Sequence, residues 1–283
     1  MHAVLHARAN GFRIGGALAQ QRDREGASDC RLARAARPVE QVGVAGPAVG
    51  RQRAAEDGAG VGVTLGGGEH LWKATAMRGR LITIEGLDGS GKTTLADALL
   101  AALRAEGRDV ALLREPGGVE LSERIRALVK DPALRVDPRT EVLLYAAARA
   151  QLVAERVEPA LAAGTWVLLD RFVDSSLAYQ GAGRGLGVEA VREVNAFGTG
   201  GLRPDRTLLL RVDGATRAAR QDVRGEEPDR LEREDDAFFG AIGTAYDALA
   251  AAEPERFRVL DAGQEPEAVL AAAVAAVADL TSS

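Results

Sequence analysis

Residues 80–93 read R-L-I-T-I-E-G-L-D-G-S-G-K-T. A short apolar run, 80–85, leads into a complete G-x-x-x-x-G-K-[ST] string at 86–93, and a helix-like segment follows from Thr93. The spacing has a physical reason. Glycines let the backbone turn tightly so that successive N–H groups face an anion, and the next helix adds the partial positive charge of its N-terminus. A lysine at position 92 reaches the outer phosphates of a nucleoside triphosphate, and the hydroxyl of Thr93 can ligate Mg²⁺. The triphosphate-binding set is therefore Gly86, Leu87, Asp88, Gly89, Ser90, Gly91, Lys92, Thr93 and Thr94.

The chain has 283 residues, 46% of them hydrophobic, enough for one good-sized α/β domain or two small ones. Its single cysteine, Cys30, excludes an internal disulfide framework. A net charge of −5 with both signs interspersed favours neither nucleic acid nor a membrane surface as partner. No stretch approaches the apolar length of a membrane span, and the reading is a cytoplasmic protein.

Residues 1–76 differ from the rest. They run through Gly, Ala, Arg and Gln without a sustained period and hold all three histidines, His2, His6 and His70. Such a segment lacks the apolar content to offset its ordering entropy, so it is expected to be a disordered extension outside the domain. Met77 precedes the first convincing strand and opens the expected folded unit, 77–283.

From there, short β-rich runs alternate with longer helical stretches. Strands are expected at 81–85, 110–114, 166–170, 207–212 and 257–261. Helices are expected at 93–106, 119–129, 138–163, 188–197, 215–223, 232–252 and 266–280. Connections of that length require crossovers, which implies a three-layer α/β fold: a five-stranded parallel sheet with helices on both faces.

Three further segments carry chemistry. R-E-P-G-G at 114–118 follows the second strand, where a parallel sheet opens into its binding crevice; an ordinary Pro-Gly turn is the plainer reading. Asp170-Arg171 ends the third strand and offers an acid for a Mg²⁺ shell and a guanidinium for phosphate oxygens, or simply a salt bridge. The run 217–233 holds Arg217, Arg220, Arg224, Arg230 and Arg233 among acids. It reads as a solvated helix face, or as a short Arg-rich lid over phosphates, because Gly225 and Pro228 interrupt the helix.

Taken together, I-E-G-L-D-G-S-G-K-T-T at 84–94, R-E-P-G-G at 114–118, E-V-L-L-Y-A-A-A-R at 141–149, D-R-F-V-D-S-S-L-A-Y-Q-G at 170–181 and R-x-x-x-R-G with D-R-L-E across 220–232 resemble the thymidylate kinases among P-loop kinases. The resemblance covers 79–283 and none of 1–76. It implies a P-loop kinase fold that transfers a phosphoryl group from Mg²⁺-bound ATP to dTMP, and a homodimer. It further implies that Tyr145 stacks on the thymine, that Arg149 bonds its edge, and that Arg171 holds the acceptor phosphate. Asp88 would approach acceptor and metal, Tyr179 would pack where a 2′-hydroxyl would sit, and Ser176, Gln180 and Glu115 would line the same pocket. Thr93 and Asp170 would serve the metal.

One departure bears on mechanism. Some members carry an arginine within the P-loop, whereas here that position is Gly89. The charge is then expected from the lid, from Arg224 first and Arg220 second, with Arg230 either a further source or, with its neighbour Asp229, a structural ion pair that positions the lid. Since the acceptor phosphate is already anionic, no strong general base is required, which agrees with the absence of His and Cys from 77–283. Three other readings compete: a kinase for another nucleoside monophosphate or a deoxynucleoside, a GTP-dependent switch, and a non-catalytic ATP-binding module. The lone asparagine of the domain, Asn195, leaves no N-K-x-D guanine reader, which counts against the switch.

Overall fold

Five strands, β1 (Leu81–Glu85), β2 (Val110–Arg114), β3 (Trp166–Asp170), β4 (Arg206–Arg211) and β5 (Phe257–Asp261), form one parallel sheet in the order β2-β3-β1-β4-β5. The computed structural model describes residues 78–224 and 229–281, and their side chains except at 221–224 and 281. The expected extension, 1–76, and lid residues 225–228 lie outside the described residues.

Period-two alternation sorts the strand side chains onto two faces. Ile82, Ile84, Leu168, Leu208 and Leu210 pack on one face against α1 (Lys92–Ala105) and α9 (Pro266–Val277). Leu81, Val167, Leu169 and Leu209 point to the other, where they meet α3 (Pro138–Leu152), α4 (Glu158–Ala162), α6 (Val188–Thr199) and α8 (Asp236–Ala252) and their connections. Both faces are covered, which is why the central strands read as near-continuous apolar runs. Each fully buried leucine or isoleucine contributes roughly 1.5–3 kcal/mol by leaving water.

Local signals place the helix ends. Asp137 caps α3 by accepting from the Arg139 N–H at 2.9 Å, with Pro138 pre-set in the first turn. Asp235 caps α8 through the Phe238 N–H, also at 2.9 Å.

The helix expected over 138–163 is interrupted. Its ladder widens to i→i+5 across Val153–Val157 before α4 begins. Pro159 has no N–H to continue the i→i+4 ladder, and a widened turn absorbs the mismatch. The helix expected from 232 starts at Asp236, because Asp229 Oδ1 accepts the N–H groups of Leu231 (2.9 Å) and Glu232 (3.0 Å) and holds a turn there. A helix not foreseen runs from α5 (Val173–Ser176) through a wide-turned continuation, Leu177–Gly183. Its buried face includes Asp174, Ser175, Ser176 and Gln180, so apolar periodicity could not reveal it. The remaining helices are α2 (Glu120–Lys130) and α7 (Gly214–Arg224). Among the described residues, no helix is long and apolar enough to cross a membrane.

Candidate active site

The register Ile84↔Asp170 between β1 and β3 ends the two strands at one level, so the loop after β1 and the turn after β3 share the carboxyl edge of the sheet. The 86–93 loop turns there on positive φ angles. At Gly86 (φ 139°) an added Cβ would stand 2.6 Å from the Leu210 carbonyl, and Gly91 (φ 92°) sits immediately before α1. Only glycine fits the first, and the second adopts a left-handed backbone at no steric cost.

Lys92 is buried and donates to the Leu87 carbonyl at 2.8 Å, with Asp88 at 3.8 Å. Burial first, then the repulsion of Arg171, push the Lys92 amine down to about 8, against the pull of Asp88, Asp170 and Glu85. Burial opposes the charge on Asp88, but Arg171 and Lys92 outweigh it and hold its carboxyl well below the usual carboxylate range.

Arg171 is a non-glycine residue in the left-handed region, at φ 69°. Its Nη2 donates to Asp88 Oδ1 at 2.7 Å and to the Tyr179 hydroxyl at 3.2 Å, and its Nη1 donates to the Gly86 carbonyl at 3.0 Å. The Tyr179 hydroxyl in turn donates to Asp88 Oδ2 at 3.2 Å. Asp88, Arg171 and Tyr179, brought from two motifs, thus form one closed cluster above the sheet edge.

Thr93 Oγ1 donates to Asp170 Oδ2 at 3.3 Å, while Asp170 Oδ1 is buried without a partner. A hydroxyl beside an orphaned carboxylate oxygen is the hard-oxygen chemistry that Mg²⁺ takes. No group of three or more His, Cys, Asp or Glu placed to hold a metal exists among the described residues. The fit is to an ion held by one or two protein oxygens together with substrate phosphates.

A cavity of about 720 Å³ opens from this edge. Its far wall carries Tyr145, half-buried, and Arg149, 2% exposed. Arg149 donates to Glu115 Oε2 (2.7 Å), Ser176 Oγ (3.0 Å), the Phe172 carbonyl (2.9 Å) and Asn195 Oδ1. Four of its five N–H groups are committed, and one on Nη2 is left. Glu115 is likewise buried, with Oε1 unpartnered; burial pushes its carboxyl up to about 7 against the pull of Arg149. Gln180 is also buried in this wall and donates to Glu141 at 2.9 Å.

The fold therefore gathers Asp88, Gly89, Gly91, Lys92, Thr93, Thr94, Glu115, Tyr145, Arg149, Asp170, Arg171, Ser176, Tyr179 and Gln180 around one cavity. Arg220 is elsewhere. Its Nη2 donates to the Ala262 carbonyl at 2.9 Å, and it lines a second cavity of about 220 Å³ with Ser90, Gly91, Thr94 and Gln264. Arg224 ends α7, and its side chain lies outside the described residues. Arg230 does not pair with its neighbour Asp229. It pairs with the fully buried Glu141 at 2.7 Å, and Asp229 pairs with Lys130 at 2.8 Å. Burial decides this: Glu141 has no water to stabilise its charge, so it draws in cations, Arg184 included at 3.2 Å.

Sequence reasoning missed Glu115 as a partner of Arg149, and it missed Asn195 altogether as part of this wall. Asn195 lies on α6 beyond any recognisable spacing from position 149, and no pattern along the chain links them.

A parallel sheet with a P-loop after its central strand, an aspartate facing the loop threonine, and a second wall carrying Tyr145 and Arg149 across one cavity are the architecture of a P-loop kinase of nucleoside monophosphates. The thymidylate kinase family model matches residues 84–273, and the chain belongs to that family. It is 48% identical over 206 residues to the thymidylate kinase of Rhizorhabdus wittichii, a match covering 72% of this chain and 99% of that one. The thymidylate kinase of Deinococcus radiodurans is 49% identical over 202 residues, covering 71% and 98%. Among solved structures, the thymidylate kinase from Ehrlichia chaffeensis superposes with a TM-score of 0.58 at 28% identity, covering 71% of this chain and 99% of that chain. The chain is an ATP-dependent enzyme of this family, which uses ATP as phosphoryl donor and Mg²⁺ as its metal.

The position of Lys92 yields a measurable consequence. Phosphate oxygens placed beside it raise its proton affinity from about 8, so ATP binding takes up protons. Calorimetric titration in buffers of different ionisation enthalpy should find an uptake on the order of half a proton near pH 8, and no such component in Lys92→Ala.

Proposed function

We propose that this chain transfers the γ-phosphoryl group of Mg²⁺-bound ATP to dTMP, yielding dTDP and ADP. One observation carries the reading: the P-loop and the Tyr145–Arg149 wall face each other across a single cavity, with Arg171 and Asp88 between them. The second cavity, on the other side of Gly91, suits the nucleoside of the donor. Its wall includes Leu95, Ala98 and Val269, with Arg220 and Gln264 as polar groups.

In this reading Tyr145 lies against the pyrimidine face and Arg149 offers its one uncommitted N–H to the base edge. Glu115, Asn195 and the Ser176 oxygen hold Arg149 rather than the substrate. Tyr179, hydrogen-bonded at Asp88, closes the sugar side, and Gln180 belongs to the same wall. Arg171 exchanges part of its bonding with Asp88 for the acceptor phosphate. Thr93 and Asp170 would hold Mg²⁺ together with the donor phosphates, and the ion would supply neutralisation of phosphate charge. Lys92 leaves the Leu87 carbonyl for the transferring group, where its charge counts most as negative charge spreads over the equatorial oxygens.

Gly89 contributes no charge, so a lid arginine supplies it. Arg220 is committed to the donor side of the P-loop, which leaves Arg224. We also assign a homodimer to the face made by α2, α3 and α6, which exposes Leu121 (49%), Leu128 (48%), Leu143 (57%) and Phe197 (94%). The relatives align within 70–72% of this chain over nearly their whole length, in support of 77–283 as the complete catalytic unit.

Purified protein with Mg²⁺ and ATP should release ADP fastest with dTMP in a panel that includes dUMP, dCMP and AMP. Lys92→Ala should lower turnover by at least about 10³-fold, as expected when a main source of transition-state charge stabilisation is removed; full activity would refute the phosphate-site assignment. Arg224→Ala should lower kcat by about 10²-fold or more with a smaller change in KM, as for other arginines that meet transferring phosphates. An unchanged kcat in that variant would remove Arg224 from the chemistry. A chain beginning at Met77 should keep dTMP-dependent ADP release and sediment at twice its own mass; an inactive one would show that residues 1–76 belong to the catalytic unit.

A further inference from the structure

The alternation along β1 places Glu85 on the same face as Leu81 and Thr83, under α8, and buries it completely. A carboxylate there must be met by donors, and three converge on it. The Phe172 N–H donates to Oε1 at 2.8 Å. The Ser175 hydroxyl, at 2.6 Å, and the Tyr246 hydroxyl of α8, at 2.8 Å, both donate to Oε2.

The direction of these bonds matters. With its hydrogen committed to Glu85, Ser175 presents a lone pair, and that lone pair accepts from Arg171 Nη1 at 3.0 Å. The flanking residues of β1 grip the same turn. The Ile84 carbonyl accepts the Arg171 N–H at 3.0 Å, and the Gly86 carbonyl accepts Arg171 Nη1 at 3.0 Å. Arg171 is thereby held at φ 69°, a conformation that side chains other than glycine avoid. An amide at position 85 would keep the shape but aim an N–H at two hydroxyls, leaving one of their hydrogens without an acceptor.

We propose that Glu85 is a positioning residue for the acceptor phosphate: through the Phe172 N–H and the Ser175 hydroxyl it sets the turn that aims Arg171, with Tyr246 as the third group that orients it. This rests on the assignment of Arg171 to the acceptor phosphate. Glu85 touches neither substrate, and its effect passes through Arg171. The donor site is on the other side of the P-loop and should be spared.

The test is a kinetic double-mutant cycle on the full chain, comparing Glu85→Gln, Arg171→Ala and the double variant, with Tyr246→Phe as a milder probe. Glu85→Gln should lower kcat/KM for dTMP roughly ten- to a hundredfold, the scale expected when a binding group is misplaced by about an ångström, while KM for ATP stays within about twofold. In the Arg171→Ala background the same substitution should change kcat/KM by no more than about twofold, since its route is already removed. Tyr246→Phe should raise KM for dTMP and lower kcat/KM by less. Equal losses toward both substrates, or additive effects in the double variant, would mean that Glu85 only supports the fold. Should Glu85→Gln not fold, a folded Tyr246→Phe with unchanged KM for dTMP overturns the proposal. An Arg171→Ala protein with normal KM for dTMP would instead overturn the assignment on which it rests, and the two failures are told apart by that single variant.

Discussion

The parallel pairing of β1 with β3 is the constraint on which the site depends. Its register sets Ile84 beside Asp170, so the phosphate loop and the Asp170–Arg171 turn emerge together at one edge of the sheet. The Asp170 side chain then meets Thr93, and Arg171 meets Asp88, although some eighty residues separate the partners in each pair. A one-residue slip would turn every β3 side chain to the opposite face and break both contacts. Both sheet faces are closely packed with buried side chains of different size, so such a slip would also misfit both layers, which keeps the register unique.

Around that edge the protein buries charge. Arg149 with Glu115, Glu141 with Arg184 and Arg230, and Asp174 with Arg256 are all ion pairs whose carboxylates are at most 3% exposed on the side chain. Buried pairs of this kind add little net stability over apolar packing, because desolvation offsets the attraction. Removing one partner, however, costs about 3–5 kcal/mol by leaving the other charge unpaired. Their consequence is directional: each fixes a guanidinium in one orientation. Arg149 is held with one N–H to spare, and Arg256 is held against Asp174 by both of its terminal nitrogens.

The same logic joins the Tyr145–Arg149 wall to the segment that follows α7. Glu141 lies on α3 one turn before Tyr145 and two before Arg149, and it draws Arg230 across from the 217–233 stretch. Arg230 also donates to the Val129 carbonyl at 2.9 Å, so the C-terminal end of that stretch is fastened to α2 and α3. At the other end, Arg217 stacks over Phe239 at 4.4 Å and Arg220 bonds the Ala262 carbonyl. A run that composition presents as a solvated face is therefore divided among three separate attachments.

The sequence by itself determined the parallel α/β class, the five strands to within a residue, the phosphate loop, and which motifs border the cavity, because these follow from periodicity and from glycine and lysine spacing, which act over a few residues. It did not determine where the buried charges go. Glu115 reads as lining the cavity, and only the fold shows that it also pairs with Arg149; the pair that reads as an option for Arg230 with Asp229 is replaced by Arg230 with Glu141. The helix from Val173 to Gly183 stayed hidden because polar side chains, Asp174, Ser175, Ser176 and Gln180, share its buried face with apolar ones and break the period, and their partners are remote in sequence, Glu85 and Tyr246 among them. A hydrogen bond or ion pair is strong only where water is absent, and which positions lose their water is a property of the packed tertiary structure. Local pattern could place each charge on its element, and only the closing of the layers decided its partner.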